Sequence, residues 1–388
     1  MKSIRLISAA LLASLSLAPS VSLACKMPRQ PVTVATADAE TPAKTRTIDL
    51  VIALDTSNSM DGLINSAKAR LWDVVNELAT AKPTPHLRVA LYTYGNDSYD
   101  AKTGWVRRDS DFTTDLDALY QKLSAVSTNG GTEYVARVGA AAANELAWDD
   151  SKDTLKLMFI AGNEAASQDP SMLPTAMAKH AISKGIVVNT IYCGDANNAD
   201  AAGWEAVAKA ADGRFAVIDQ NKNVAQIATP MDDKLAALSG KLNETYVSYG
   251  RRGAEKKEAQ RAADSSAASM GAGVAASRAQ AKAGKLYEAG DWDAVDAEKA
   301  KPGAIAAAPA AELPPEMQAM KPQERVEYVK GKSAEREKIQ AEIAKLSKDR
   351  EKFIADAAKD KKSDDTLGAA LKSAVRTQAE KKGYTFEK

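Results

Sequence analysis

From residue 48 to 218, short apolar runs rich in β-branched residues alternate with stretches whose apolar positions recur at helical spacing, and few folds accept that order. The run 48–54 is apolar at all but one position and ends in Asp55, the pattern of a strand buried on both faces. Residues 60–81 then repeat Leu63, Ala67, Leu71, Val74, Val75 and Leu78 along one helical face. Further strands are expected at 87–94, 105–108, 155–161, 186–192 and 213–218. Helices are expected at 115–126, 133–147, 176–183 and 201–211. This alternation predicts an α/β fold: a doubly wound, mostly parallel sheet covered by helices on both faces.

The strand signals stop after Pro230. Residues 231–388 read as an α-helical extension rich in Ala, Lys and Glu, interrupted by Gly271 and Gly273 and by a Pro-rich hinge near 302–322. Its strongest helix is expected at 324–360, where Ile339, Ile343, Leu346 and Phe353 form a stripe too narrow to stand alone. A hairpin of 254–289 against 324–360 is the simplest way to cover it, a partner or a second copy of the arm is another, and a solvated, partly frayed tail is the plainer reading.

The first 24 residues have a basic start (Lys2, Arg5), an apolar run from Leu6 to Leu17 and the small-residue ending Ser22-Leu23-Ala24. They read as a secretory signal peptide, too short in its apolar part to serve as a stable membrane anchor. The expected location is therefore the periplasm or cell envelope, with residues 25–46 as a linker and 47–230 as the folded α/β domain. Cys25 would be the first mature residue. It is either acylated, which would tie the chain to a membrane as a lipoprotein, or the end of an ordinary soluble product that can pair with Cys193. Lipoprotein signals usually place Leu three residues before the cysteine, where this chain has Ser22.

Composition excludes several function classes. With 52 Lys+Arg against 51 Asp+Glu, the net charge of +1 gives no general pull toward nucleic acid. Two cysteines and two histidines, far apart in the chain, do not make a structural zinc site. No Ser/His/Asp set can be assembled around His86 and His180, so an enzyme is not expected.

Chemistry concentrates in three turns at the ends of predicted strands, where sheets of this kind bind ligands. Asp55-Thr56-Ser57-Asn58-Ser59 sends Asp55, Ser57 and Ser59 to one side, Asn129-Gly130-Gly131-Thr132 precedes the helix at Glu133, and Gly162-Asn163-Glu164 follows a third strand. Carboxylate, hydroxyl and amide oxygens suit a hard divalent cation, Mg²⁺ or else Mn²⁺ or Ca²⁺. The plainer reading of the same residues is helix capping and tight turns.

The ordered set resembles the metal-ion-dependent adhesion site of the von Willebrand factor A domain, which has an Asp-x-Ser-x-Ser loop, a Thr in a second loop and an Asp in a third. The resemblance implies that Ser57 and Ser59 bind the metal directly, that Asp55 acts through water, that Thr132 engages when a partner binds, and that the partner is a protein presenting a carboxylate. It also implies an exported bacterial chain with a helical C-terminal extension. The third loop departs from the pattern, since Asn163 stands where the family usually has Asp and removes one negative charge. Glu164 restores that charge if it turns inward. A metal-free structural module acting through its helical arm is the alternative.

Overall fold

A computed structural model describes residues 46–218, 227–358 and 367–386. The predicted signal peptide, Cys25 and almost all of the linker lie outside the described residues.

The strands are β1 (Thr47–Asp55), β2 (Ala81–Lys82), β3 (His86–Tyr94), β4 (Val106–Thr113), β5 (Leu155–Gly162), β6 (Ile186–Cys193), β7 (Phe215–Ile218) and β8 (Thr385–Phe386). Six form one sheet in the order β4-β3-β1-β5-β6-β7, parallel except for the antiparallel edge strand β4. Strand β1 is central, which is why its sequence is apolar almost throughout. Its side chains alternate, so Ile48, Leu50, Ile52 and Leu54 enter the core on one face while Val51 and Ala53 enter the core on the other. The exception, Asp49, is fully buried and forms a two-pronged ion pair with Arg88, both contacts at 2.7 Å.

On the second face lie α3 (Val135–Glu145), α4 (Pro174–Ser183) and α5 (Ala201–Ala210). The first face is covered by α1 (Asp61–Ala79), α2 (Leu116–Ser124) and the last helix, α13 (Leu367–Lys381). Leu367, Leu371, Ala374, Val375 and Ala379 of α13 share the cluster of Phe159 and Ile191. The Gln378 and Asn189 amides exchange two hydrogen bonds beside them, at 2.6 and 3.1 Å. Sequence alone gave α13 no separate role within the extension. Near the chain end, β8 pairs antiparallel with β2.

Between them the extension runs through α6 (Asp232–Glu244), α7 (Gly253–Ser269), α8 (Ala272–Ala283), α9 (Ala294–Ala300), α10 (Ala304–Ala307), α11 (Pro315–Gln318) and α12 (Pro322–Ala358). It belongs to the same compact unit as the sheet, Lys44–Lys388. Gly271, at φ +123°, separates α7 from α8. Ala263 and Ala267 of α7 and Val274 and Ala281 of α8 join the first-face core. Helix α12 packs against both α6 and α8, so the expected two-helix hairpin is a three-helix arrangement in which Ile343 is buried and Phe353 is 40% exposed. The region 302–322, expected as a hinge, is a packed segment: Ile305, Leu313 and Met317 bury themselves against Val295 and Val329. Its prolines begin and end short helical turns instead of opening a bend. No described helix is long and apolar enough to cross a membrane.

Candidate functional site

The first loop is fixed by its own backbone. Both the amide and the hydroxyl of Thr56 donate to the Tyr94 carbonyl at 2.8 Å, which turns Thr56 inward and leaves its neighbours on the opposite side. Asp55 Oδ1 accepts from the Ser57 amide at 2.8 Å. Its other oxygen, Oδ2, is buried with no hydrogen-bond partner. Ser57, 4% exposed, begins a short 3₁₀ turn, yet its hydroxyl caps no backbone N–H. It lies 3.5 Å from the Ser59 hydroxyl. The capping explanation of this motif therefore fails at Ser57.

Asn163, at the end of β5, donates its amide to Ser59 Oγ at 2.9 Å, and its Oδ1 is buried without a partner. Two unsatisfied acceptor oxygens and two hydroxyls thus meet at one rim of the sheet. Glu164 is exposed, and its backbone carbonyl accepts the Trp204 indole N–H at 2.8 Å.

The second loop is interlocked with the first. The Asn129 amide donates to the Thr56 carbonyl at 3.0 Å, and Gly130 O accepts from the Asp97 amide at 3.2 Å. At Gly131 a Cβ would lie 2.0 Å from the Gly95 carbonyl oxygen, so only glycine permits this approach. The loop delivers Thr132, half-buried, and then Glu133, 7% exposed. The Glu133 backbone amide donates to Gln168 Oε1 at 3.3 Å.

By its place in the sequence Glu133 is an ordinary first residue of a helix, whereas α3 starts two residues later. The available signal was its position directly after Gly-Gly-Thr. Burial, reinforced by the charges of Glu133 and Glu164, lifts Asp55 from 3.8 to about 7. Burial also raises Glu133.

Among the described residues no group of three or more His, Cys, Asp or Glu side chains is arranged to hold a metal. The rim offers a different donor set, mainly hydroxyl and amide oxygens around a buried carboxylate, and this set fits a hard cation better than a soft one. Residues outside the rim take plain roles. Cys193 is buried with a free thiol, pushed up by burial. The exposed His180 bonds Asn144, and His86 lies near Glu288.

No match is found among curated proteins. Solved structures resemble the chain over less than half its length. One is proximal thread matrix protein 1 from the mussel byssus with a zinc-occupied MIDAS motif, at 12% identity, TM-score 0.37, covering 46% of this chain and 43% of that one. Another is a von Willebrand factor type A protein from Catenulispora acidiphila, at 16%, TM-score 0.35, covering 45% and 39%. A third is the corresponding domain of the pilus tip protein Mfa5 from Porphyromonas gingivalis, at 16%, TM-score 0.35, covering 45% and 91%. The chain thus spans about two fifths of the first two proteins. The family description that matches by sequence begins within β1 and runs past β7, over the whole six-stranded sheet and its three turns, so residues 49–230 are a von Willebrand factor type A domain.

Proposed function

We propose that this chain is an exported binding protein whose rim holds a divalent cation of the Mg²⁺ class and uses it to engage a carboxylate on a protein partner. Domains of this type are generally interaction modules rather than enzymes, and they typically bind proteins. The observation that carries the reading is Asp55 Oδ2, buried without a hydrogen-bond partner in the loop whose Ser57 and Ser59 hydroxyls lie 3.5 Å apart. An unmatched buried carboxylate oxygen is costly unless something outside the chain satisfies it.

Asp55, Ser57, Ser59, Asn163 and Thr132 would hold the ion. When bound, it supplies a positive coordination position that an incoming carboxylate can occupy. Asp55, anchored by the Ser57 amide, keeps the first loop in register, while the Asn163 amide orients the Ser59 hydroxyl. Export rests on the segment 1–24, and N-terminal sequencing of the mature protein checks for cleavage before Cys25 or for a blocked, acylated end.

Calorimetric titration of the full chain with Mg²⁺ and Mn²⁺ tests the cation. Heat is expected from the native protein and none from Asp55→Ala; equal heats from both overturn the reading.

Phe353, 40% exposed near the end of α12, favours a second reading, self-association through the helical extension. Helices α7, α8 and α13 belong to the core of the sheet, so a deletion of the extension is uninformative. Light scattering on Phe353→Glu is the appropriate measurement: a dimer that becomes a monomer supports this reading, and a monomer in both cases removes it.

A further inference from the structure

Among the described residues seven acidic side chains are buried: Asp49, Asp55, Asp117, Glu133, Asp169, Asp232 and Asp293. Five of them face an arginine. The pairs are Asp49–Arg88 at 2.7 Å, Asp117–Arg278 at 2.6 Å, Asp169–Arg137 at 2.9 Å, Asp232–Arg350 at 2.7 Å and Asp293–Arg336 at 2.7 Å. For Asp55 and Glu133 no described lysine, arginine or histidine forms an ion pair. The charged groups acting most strongly on both are acidic, each other's neighbour Glu164 included.

These two exceptions are adjacent. A Cβ placed on Gly95 would lie 2.8 Å from Asp55 Oδ1 and 2.9 Å from Glu133 Cγ, so the two side chains converge on the same glycine from different loops. The Ser57 amide donates to the same Asp55 Oδ1 at 2.8 Å, so the first loop of the rim is held on the oxygen that faces Glu133 across Gly95. A fold that supplies an arginine to every other buried acid leaves this pair open, and an uncompensated pair of like charges needs a cation or a proton from outside.

We propose that Glu133 is the second carboxylate of the cation site and replaces the charge missing at Asn163. This rests on the cation-binding reading above. Asp55 alone would set one negative charge against a divalent ion; with Glu133 the count is two. Glu133 acts either as a ligand itself or by accepting a hydrogen bond from the Ser57 hydroxyl, so that the oxygen lone pairs of Ser57 face the ion. In both arrangements the site keeps full charge, and the weakening that Asn163 implies by itself does not arise. Glu164 is exposed and does not share this role.

The test is calorimetric Mn²⁺ and Mg²⁺ titration of the full chain, with melting temperatures recorded in chelator. Glu133→Gln, which keeps size and hydrogen bonding, is expected to lower affinity by roughly 10- to 100-fold. Glu164→Gln is expected to change it by less than about twofold, as an exposed charge does. In chelator, Glu133→Gln is expected to melt at or above the native temperature, which also certifies that it folds. Adding Asn163→Asp to Glu133→Gln is expected to recover most of the affinity, since it returns the charge through the other loop.

If the native protein binds the ions and Glu133→Gln binds them as tightly, the assignment of Glu133 is wrong while the cation reading stands. If Glu164→Gln weakens binding as much as Glu133→Gln, the assignment is also wrong. If the native protein binds neither ion, the cation reading fails first and this inference with it, leaving a shared proton as the means by which the pair is tolerated.

Discussion

The rim of the sheet and the seam between the sheet and the helical extension both bury acids, and they do so in opposite ways. At the seam, Arg278 is 1% exposed and lies between Asp117 of α2 and Asp264 of α7, at 2.6 and 2.9 Å. Its guanidinium also stacks over Trp72 at 4.4 Å and Tyr287 at 5.1 Å, while Lys282 adds a second cation to Asp264. Every acid there is answered by the chain itself. At the rim, Asp55 and Glu133 are buried with no described cation of the chain beside them. The same residue type thus serves cohesion in one place and openness to an outside ion in the other.

The strongest way to break this contrast is to unbalance the seam. Arg278→Ala leaves Asp117 without a cation and Asp264 with Lys282 alone, and is expected to cost about 3–5 kcal/mol in denaturant unfolding, the usual effect of removing one partner of a buried pair. A loss below about 1 kcal/mol would mean that the seam is as wet as the rim. The apolar half of the seam sharpens the point: Leu371→Ala in α13, 6% exposed, is expected to cost about 2–4 kcal/mol. If it costs nothing, α13 does not belong to the layer covering the sheet.

The rim should respond with the opposite sign. Asp55→Asn in chelator at pH 8 is expected to stabilise the protein by about 1–3 kcal/mol, because it removes an unmatched buried charge. The pH dependence follows from the same group. Its folded value of about 7 lies above the ordinary 3.8, so the stability it contributes is full below pH 3.8 and is lost as pH rises through 7. A cation competes with that proton, so the melting temperature should gain little from Mg²⁺ at pH 5.5 and clearly more at pH 8. A gain independent of pH would move the binding site away from Asp55. The smallest effect is expected from Phe353→Glu, within about 0.5 kcal/mol of native stability.

How much of this was legible depended on whether a residue's role is set locally. The apolar run through Leu50 and Ile52 announces a central strand because burial on both faces leaves no polar position. The loop from Asp55 to Ser59 announces itself because three oxygen donors at alternate positions are unusual for a cap alone. Glu133 was not legible: a glutamate ahead of a helix is commonplace, and its approach to Asp55 over Gly95 joins loops far apart in sequence. Leu367, Leu371 and Val375 do carry helical spacing, but nothing local says that their partner is β5 and β6. Prolines at 302–322 mark breaks in helices, and they cannot tell a swinging joint from the packed turns around Ile305 and Met317.

The return of α13 to the sheet has a consequence for how the chain is made. The first face of the sheet stays uncovered over Phe159 and Ile191 until residues 367–379 have been added, more than 150 positions after the strands they cover. Any intermediate in which α13 has not yet docked therefore carries a half-dressed sheet, with that apolar patch open to water.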